Sequence, residues 1–475
     1  MILLSENISN YIKKNFGEEY FQKYKEFYDS NYKSCVRFSR KVNPELLIKN
    51  LKEYGIELKK IESIKNSYQV IEGEELIGKT IYYILGHYYI QSLSSMIPAE
   101  VLNPEENDKV LDLCAAPGSK TTQLSDLMNN KGTLIANDIS LDRLKVLMFN
   151  LDKMNIVNAG VLNKKGELLS KSFENYFDKI LVDAPCSALG IVQKRGEVSN
   201  WWNINKIGNI AEVQYKLLLS AIKMLKTGGT LVYSTCTLTL EENELVLNKI
   251  LKKYPVELKE MNLSIKSKPA FTKYENEELN HSISKARRIL PWEVNSEGFF
   301  VAKLIKTDEL KENSEKIHSK DKIELCSFSH KKVKDFLLRV SDYYGIEKGI
   351  LENYNYIVRS KDLYFVNEDW DSINTGMFNR IGSKFGSIDK NKIVQVHTVA
   401  AQILGNHFNK NVVELNDKKD LEMYLKGGTI KRNFGNEGQK IVKYNNQILG
   451  TAVSSGEGLK SQFPRALRTQ EIVIV

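Results

Sequence analysis

At 475 residues the chain is too long for one hydrophobic core, and its length predicts about three domains. Its 68 Lys and Arg outweigh 59 Asp and Glu, and the formal charge is +9. From Arg380 to Val475 there are 15 basic and 8 acidic residues, a net +7, which points to a polyanion partner through counterion release; a merely solvated basic surface is the equal alternative.

The five cysteines, at 35, 114, 186, 236 and 326, form neither a regular disulfide framework nor a C-x-x-C metal pair. Reduced thiols, a cytoplasmic setting and no metal are expected. Met1–Asn7 has no basic region ahead of its short apolar run, so no signal peptide is read. The apolar stretch Ile81–Ile97 contains Gly86, His87, Gln91 and several serines, which suits a buried approach to the next domain and not a membrane span.

In chain order, residues 1–78 read as a small α/β module with helices over Glu18–Tyr28 and Pro44–Tyr54 and a strand in Cys35-Val-Arg-Phe-Ser-Arg40. From Lys109 onward, apolar runs alternate with helical segments, the pattern of a parallel sheet covered on both faces. Strands are predicted at Val110–Cys114, Thr133–Asn137, Lys179–Asp183, Thr230–Ser234 and Phe299–Ile305 within a domain spanning 79–306. Helices are predicted at Leu217–Lys226, stopped by Gly228-Gly229, and at Glu241–Lys252. Lys306–Lys322 reads as a linker, His330–Tyr344 as a helix of a connecting module over 307–375, and the Gly- and β-rich stretch 376–475 as a compact terminal domain.

Three strings carry chemistry. Ala115-Ala-Pro-Gly118-Ser is a small-residue turn between a strand and a helix that begins at Lys120, placed where ligands sit in open parallel sheets. Such a turn can be purely structural, but the full Asp112-x-Cys-Ala-Ala-Pro-Gly-Ser-Lys120 string is more specific. After the next strand, Asp138 stands where a carboxylate can accept both hydrogen bonds of a ribose diol; helix capping is the competing role, with Ser140 the rival cap. Leu181-Val-Asp-Ala-Pro-Cys186-Ser and Tyr233-Ser-Thr-Cys236-Thr then end two strands with cysteines. Carbon 5 of cytosine is a poor nucleophile, so an enzyme that alkylates it first adds a thiolate to carbon 6, and a second group helps break that bond. One cysteine at a strand end is usually a small core residue. Two, beside such a turn, are not explained that way.

Together these strings resemble the RsmB/RsmF-type RNA 5-methylcytosine methyltransferases, above all the RsmF-like branch. The resemblance implies an α/β, Rossmann-like class I S-adenosylmethionine-dependent methyltransferase with an N-terminal RNA-recognition module and a C-terminal PUA-like RNA-binding domain. It assigns the methyl donor to Cys114, Ala115, Ala116, Pro117, Gly118, Ser119, Lys120, Asp138 and Asp183, and the nucleophile to Cys236. Cys186 would assist release as base or through an ordered water, and Asp183 would hydrogen-bond the cytosine edge. Lys165 stands in place of the family's adenine-binding acid; lysine has no acceptor, so Asn163 or backbone carbonyls are expected there. Lys194 and Arg195 would hold target phosphates, while Trp201-Trp202 reads as packing and not as base stacking. Arg37-Phe-Ser replaces the family's Arg-Val-Asn. Near the end, Lys460, Pro464, Arg465 and Arg468 keep the spacing of a family motif, implying a grip on an RNA backbone; the alternative is that they only solubilise a sheet edge.

The implied function is 5-methylcytosine formation in 16S small-subunit ribosomal RNA by a cytoplasmic monomer. The same chemistry on transfer RNA is one alternative, and a non-catalytic ribosome-assembly factor is another. Lys165 favours the assembly factor; the two cysteines oppose it.

Overall fold

A computed structural model describes residues 4–30, 33–192, 198, 202–310, 322–390, 392–468 and 471–474. Its central sheet contains five parallel strands in the order Leu225–Thr235, Phe177–Asp183, Lys109–Asp112, Thr133–Asn137, Ala159–Leu162. Phe299–Lys306 adds to it antiparallel beside Leu225–Thr235. The chain therefore starts in the middle, winds outward to Ala159–Leu162, and returns to the other side at Phe177–Asp183. That reversal opens a crevice beyond the carboxyl ends of Lys109–Asp112 and Phe177–Asp183, the usual ligand position in such sheets.

Alternation along each strand divides the core between the two faces. Leu111, Ile135, Ile180, Val182, Leu231 and Tyr233 pack with the helix Ile204–Met224. Val110, Leu134, Ala136, Leu181 and Val232 pack with residues of the helices Leu93–Leu102, Ser119–Leu127 and Leu141–Lys153. Burial on both faces is why these strands are near-continuous apolar runs.

Several boundaries differ from expectation. The helix predicted at Leu217 already begins at Ile204 and ends at Met224, ahead of Gly228-Gly229, which lies inside the strand Leu225–Thr235. Leu225 pairs with Phe177, so tertiary pairing and not the glycine pair ends that helix. The segment 1–78 does not form one module. Its helices Glu6–Phe16 and Glu18–Tyr28 pack through Tyr11, Phe21 and Tyr24 against Leu189, Val192, Trp202 and Leu238, around the loops that follow the two cysteines. The separate four-stranded sheet is Glu57–Lys60, Ser67–Glu72, Cys35–Phe38, Tyr88–Ile90, so it runs past residue 78.

Residue 376 is likewise not a boundary, because Tyr354–Arg359, Asp362–Asn367, Ser383–Ile388 and Val394–Val396 make one sheet across it. Arg380–Ile381 even extends the catalytic sheet by pairing with Ala159–Leu162. The terminal five-stranded sheet comprises Val412–Leu415, Gly438–Tyr444, Gln447–Ser455, Gly458–Ser461 and Thr429–Ile430. Partner choice at a sheet edge is not written in local composition. No helix among the described residues is long and apolar enough to cross a membrane.

Candidate active site

The small-residue turn is stitched to both neighbouring strands: Leu113 N–H donates to the Leu181 carbonyl at 2.9 Å and Ala115 N–H to that of Asn137 at 2.8 Å. Gly118 has a φ of +110°, and a Cβ there would lie 2.8 Å from the Leu147 side chain, so only glycine lets the turn sit this close to the next helix. Asp112 is buried beneath it. One carboxyl oxygen accepts from the Thr121 hydroxyl at 2.7 Å, whereas Oδ1 is buried without a partner. Burial, reinforced by the charges of Asp183 and Asp138, pushes the Asp112 pKa up to about 7.

Asp138 accepts Ala116 N–H at 3.1 Å on Oδ2 and Ser140 N–H at 2.9 Å on Oδ1, and the Arg143 guanidinium stands 3.5 Å from Oδ2. The Ser140 hydroxyl accepts from Arg143 N–H and caps the helix Leu141–Lys153, so the capping role is not left to Asp138. A carboxylate offers about four lone-pair sites, so acceptor capacity remains for a diol. Asn163 uses its Nδ2 on the backbone carbonyls of Asp138 and Ile139, at 2.8 and 2.9 Å. That amide thus shapes the Asp138 loop. The Lys165 side chain is exposed, and its backbone starts the short turn Gly166–Lys171.

An orphaned acid at Asp112, spare acceptors on Asp138 and a turn without bulky side chains fit S-adenosylmethionine. Bound here, that donor supplies a methyl group made electrophilic by its sulfonium.

On the other side of the crevice Cys186 Sγ lies 3.2 Å from Cys236 Sγ. The hydrogen bond to Cys236 and burial push the Cys186 thiol well above its ordinary pKa. The raised pKa favours the protonated form of the Cys186 thiol. Asp183 is held at both oxygens, by Lys120 Nζ at 2.7 Å and by the Ser234 hydroxyl at 2.7 Å. Lys120 also donates to Ser95 Oγ at 3.1 Å and lies 5.1 Å from the Phe299 ring centroid. Burial disfavours its charge, but the Asp183 carboxylate outweighs that, and the Lys120 pKa is raised. Lys120 thus ties the small-residue turn to the acid beside the thiols.

Residues 99–305 match the family described as 16S rRNA methyltransferase RsmB/F, and 410–469 match the methyltransferase RsmF PUA domain. The chain is 31% identical over 441 residues to ribosomal RNA small subunit methyltransferase F of Shewanella piezotolerans, covering 91% of this chain and 90% of that one. It belongs to the RsmB/F methyltransferase family. It is also 38% identical over 260 residues to the tRNA (cytosine(49)-C(5))-methyltransferase of Pyrococcus abyssi, 54% of this chain and 83% of that one. A solved methyltransferase homolog protein from Pyrococcus horikoshii is 32% identical with a TM-score of 0.56, covering 62% of this chain and 93% of that structure. As a member of the RsmB/F family the chain is an S-adenosylmethionine-dependent methyltransferase with a Rossmann-like catalytic domain and a C-terminal PUA domain.

In this RsmB/F-family enzyme the expected RNA contacts fare unequally. Lys194, Arg195 and Trp201 lie outside the described residues. Trp202 is buried, edge-on to Tyr11 at 5.3 Å, which is packing. Arg37 is buried inside the fold, paired with Asp126 and donating to Gln91 at 3.2 Å and Thr122 at 3.0 Å; it locks the N-terminal sheet onto the helix Ser119–Leu127. Lys460 and Arg465 are exposed, whereas Arg468 donates to the Phe463 carbonyl at 2.7 Å.

Sequence reasoning missed Glu242-Asn243-Glu244, which it absorbed into a helix starting at Glu241; the helix begins at Glu244, and all three residues are fully buried. Asn243 accepts the Thr235 hydroxyl at 2.6 Å and donates to the Thr237 carbonyl at 3.1 Å, bracketing Cys236. Glu244 pairs with Arg288 at 2.5 Å, and Arg288 donates to the Leu238 carbonyl at 2.9 Å. The available signal was a polar triplet directly after the Thr237-Leu-Thr239-Leu alternation, whose apolar partners imply that the polar residues are buried too.

Proposed function

We propose that this enzyme transfers a methyl group to carbon 5 of a cytosine in 16S ribosomal RNA through a covalent Cys236 intermediate, working in the cytoplasm as a monomer. The observation that carries the reading is the 3.2 Å pairing of Cys186 with Cys236 beside an Asp183 anchored by Lys120. Cys236 bonds carbon 6, which raises electron density at carbon 5. Carbon 5 takes the methyl group, and loss of its proton to a base expels Cys236. Cys186 assists that release, as the base that takes the carbon-5 proton or through an ordered water that takes it. Asp183 hydrogen-bonds the cytosine edge and steadies the charge that develops during attack.

The small-subunit name of relatives that span nine-tenths of the chain supports ribosomal RNA as the substrate. Transfer RNA is the second reading, favoured by the higher identity of the Pyrococcus abyssi relative over the shorter segment. Bisulfite sequencing of total RNA from a deletion strain tests both. A lost 5-methylcytosine signal in 16S RNA is expected; loss confined to transfer RNA, or no loss, overturns the reading.

A further inference from the structure

Glu242 has no exposed surface, and its carboxylate gathers four donors from three segments. On Oε1 it accepts Ser187 N–H at 2.8 Å and Gln214 Nε2 at 3.0 Å; on Oε2 it accepts the Ser187 hydroxyl and the Thr239 hydroxyl, the latter at 2.6 Å. Gln214 also donates to the Pro185 carbonyl at 2.9 Å, and the Ser187 and Thr237 hydroxyls meet at 2.9 Å. The Tyr233 hydroxyl in turn donates to the Glu242 carbonyl and fixes its backbone. Ser187 follows Cys186, and Thr237 follows Cys236. One buried carboxylate thus ties the loop of each thiol to the other.

We propose that Glu242 is a positioning residue that sets the separation and aim of Cys186 and Cys236. The inference deepens the methyltransfer reading and rests on it for its kinetic consequence only. Among the described residues Glu242 does not make a salt bridge, the alternative use of a buried carboxylate: its four partners there are neutral hydrogen-bond donors. Burial raises the Glu242 pKa, and the four donors work against that rise. The geometry separates two kinds of donor. Ser187 N–H and the Gln214 amide are obligate donors and face Oε1, whereas the two hydroxyls facing Oε2 can rotate and accept instead. A carboxamide therefore suits the same cage if its oxygen takes the Oε1 place.

The test is thiol juxtaposition read without RNA. Diamide removes two electrons and two protons from the cysteine pair, forming one Sγ–Sγ bond and the corresponding hydrazine. The sulfurs need only close from 3.2 Å to about 2.0 Å, so the native enzyme should cross-link readily. Glu242→Ala should cross-link at least about tenfold more slowly and lose about 10²-fold in kcat, the scale of a small misplacement of reacting groups, with KM for RNA and donor affinity unchanged. Glu242→Gln should restore both rates to within about threefold, since only the hydroxyls must turn. Phe173→Leu, in the apolar core on the same side of the sheet as Gln214, serves as a control of reduced stability.

If Glu242→Ala does not fold, Thr239→Val removes a single donor and should slow cross-linking by a smaller factor. Cross-linking of Glu242→Ala and Thr239→Val at the native rate, or equal slowing in Phe173→Leu, overturns the proposal. Slowed cross-linking in an enzyme that methylates no RNA would sink the functional reading and leave the clamp standing.

Discussion

Cys186 and Cys236 stand 3.2 Å apart because their strands are parallel neighbours in a fixed register, with Asp183 opposite Ser234. Three residues beyond one partner and two beyond the other, the chain brings both sulfurs to the same end of the crevice. Cys236→Ala should abolish methylation and leave donor binding nearly intact, because the sulfur acts on the base. Cys186→Ala should permit attack and methyl transfer but slow release. A covalent enzyme–RNA band should then accumulate on a denaturing gel and vanish in the double variant; its absence with target RNA would remove Cys186 from the release step.

Buried Lys120 and half-buried Asp183 form an ion pair at 2.7 Å, so removing the cation leaves the carboxylate with the Ser234 hydroxyl alone. Lys120→Met should cost about 1–3 kcal/mol of stability and most of the turnover, measured by urea unfolding and methyl incorporation. The raised Lys120 pKa also fixes a pH dependence: its contribution is complete below the unfolded value of about 10.4 and is lost as pH rises through the higher folded value. An unchanged urea midpoint in Lys120→Met would show that the pair is not a structural tie.

Asp112 carries the opposite burden. Its folded pKa, raised to about 7, makes the native state favour the protonated acid. The sign follows: its contribution is complete below the unfolded value of about 3.9 and disappears as pH rises through about 7, a change on the order of 4 kcal/mol. Asp112→Asn should therefore gain stability relative to the native enzyme between pH 5 and 8 while binding the donor less well. Parallel unfolding curves for the two proteins across that window would contradict the buried, half-partnered acid.

Much of this site was legible because its chemistry lies at strand ends. Apolar runs fixed the strands at Thr133–Asn137 and Phe299–Lys306 almost to the residue, and each functional string followed directly on a strand. What stayed illegible was long-range. Tyr88–Ile90 joins the sheet of Cys35–Phe38, and Arg380–Ile381 joins that of Ala159–Leu162, through partners that their own composition does not name. The place of Arg37 was equally hidden, because nothing local announces Asp126, 89 residues away, as its partner. Glu242 was hidden for the same reason: a charged residue at a helix start normally faces water, and it is the two cysteine loops together with Gln214 of the helix Ile204–Met224 that enclose it.

Asp138 offers a direct measure of the donor site. Replacing it with Ala should weaken donor affinity by about 1.5–3 kcal/mol, the scale of a lost charge-assisted hydrogen bond, with the helix Leu141–Lys153 intact because Ser140 caps it. Calorimetry returning the native dissociation constant would assign Asp138 to the turn alone, through its bonds to Ala116 and Ser140. Lys165→Asp should preserve or tighten donor binding, since the exposed lysine makes room for an acceptor; marked weakening would give Lys165 a role of its own.

The basic tail calls for point substitutions, because cutting at residue 376 would part Ser383–Ile388 from its neighbour Asp362–Asn367. Its three motif cations are not equivalent. Lys460 is exposed on the strand Gly458–Ser461, and Arg465 is exposed at the start of the last helix, so both are free to meet phosphate. Arg468 instead holds the Phe463 carbonyl, and a Cβ at Gly427 would lie 2.3 Å from its guanidinium, which shows how closely it packs there. Substituting Lys460 and Arg465 together by Ala should leave stability within about 0.5 kcal/mol and lower the slope of log affinity against log salt by roughly 0.7–0.9 for each phosphate no longer neutralised. Arg468→Ala should instead reduce thermal stability, and its RNA affinity should fall only as far as the terminal helix loosens. If Lys460 and Arg465 can both be removed with the salt slope intact, the PUA domain does not grip the backbone through this motif, and RNA must be oriented by other parts of the chain.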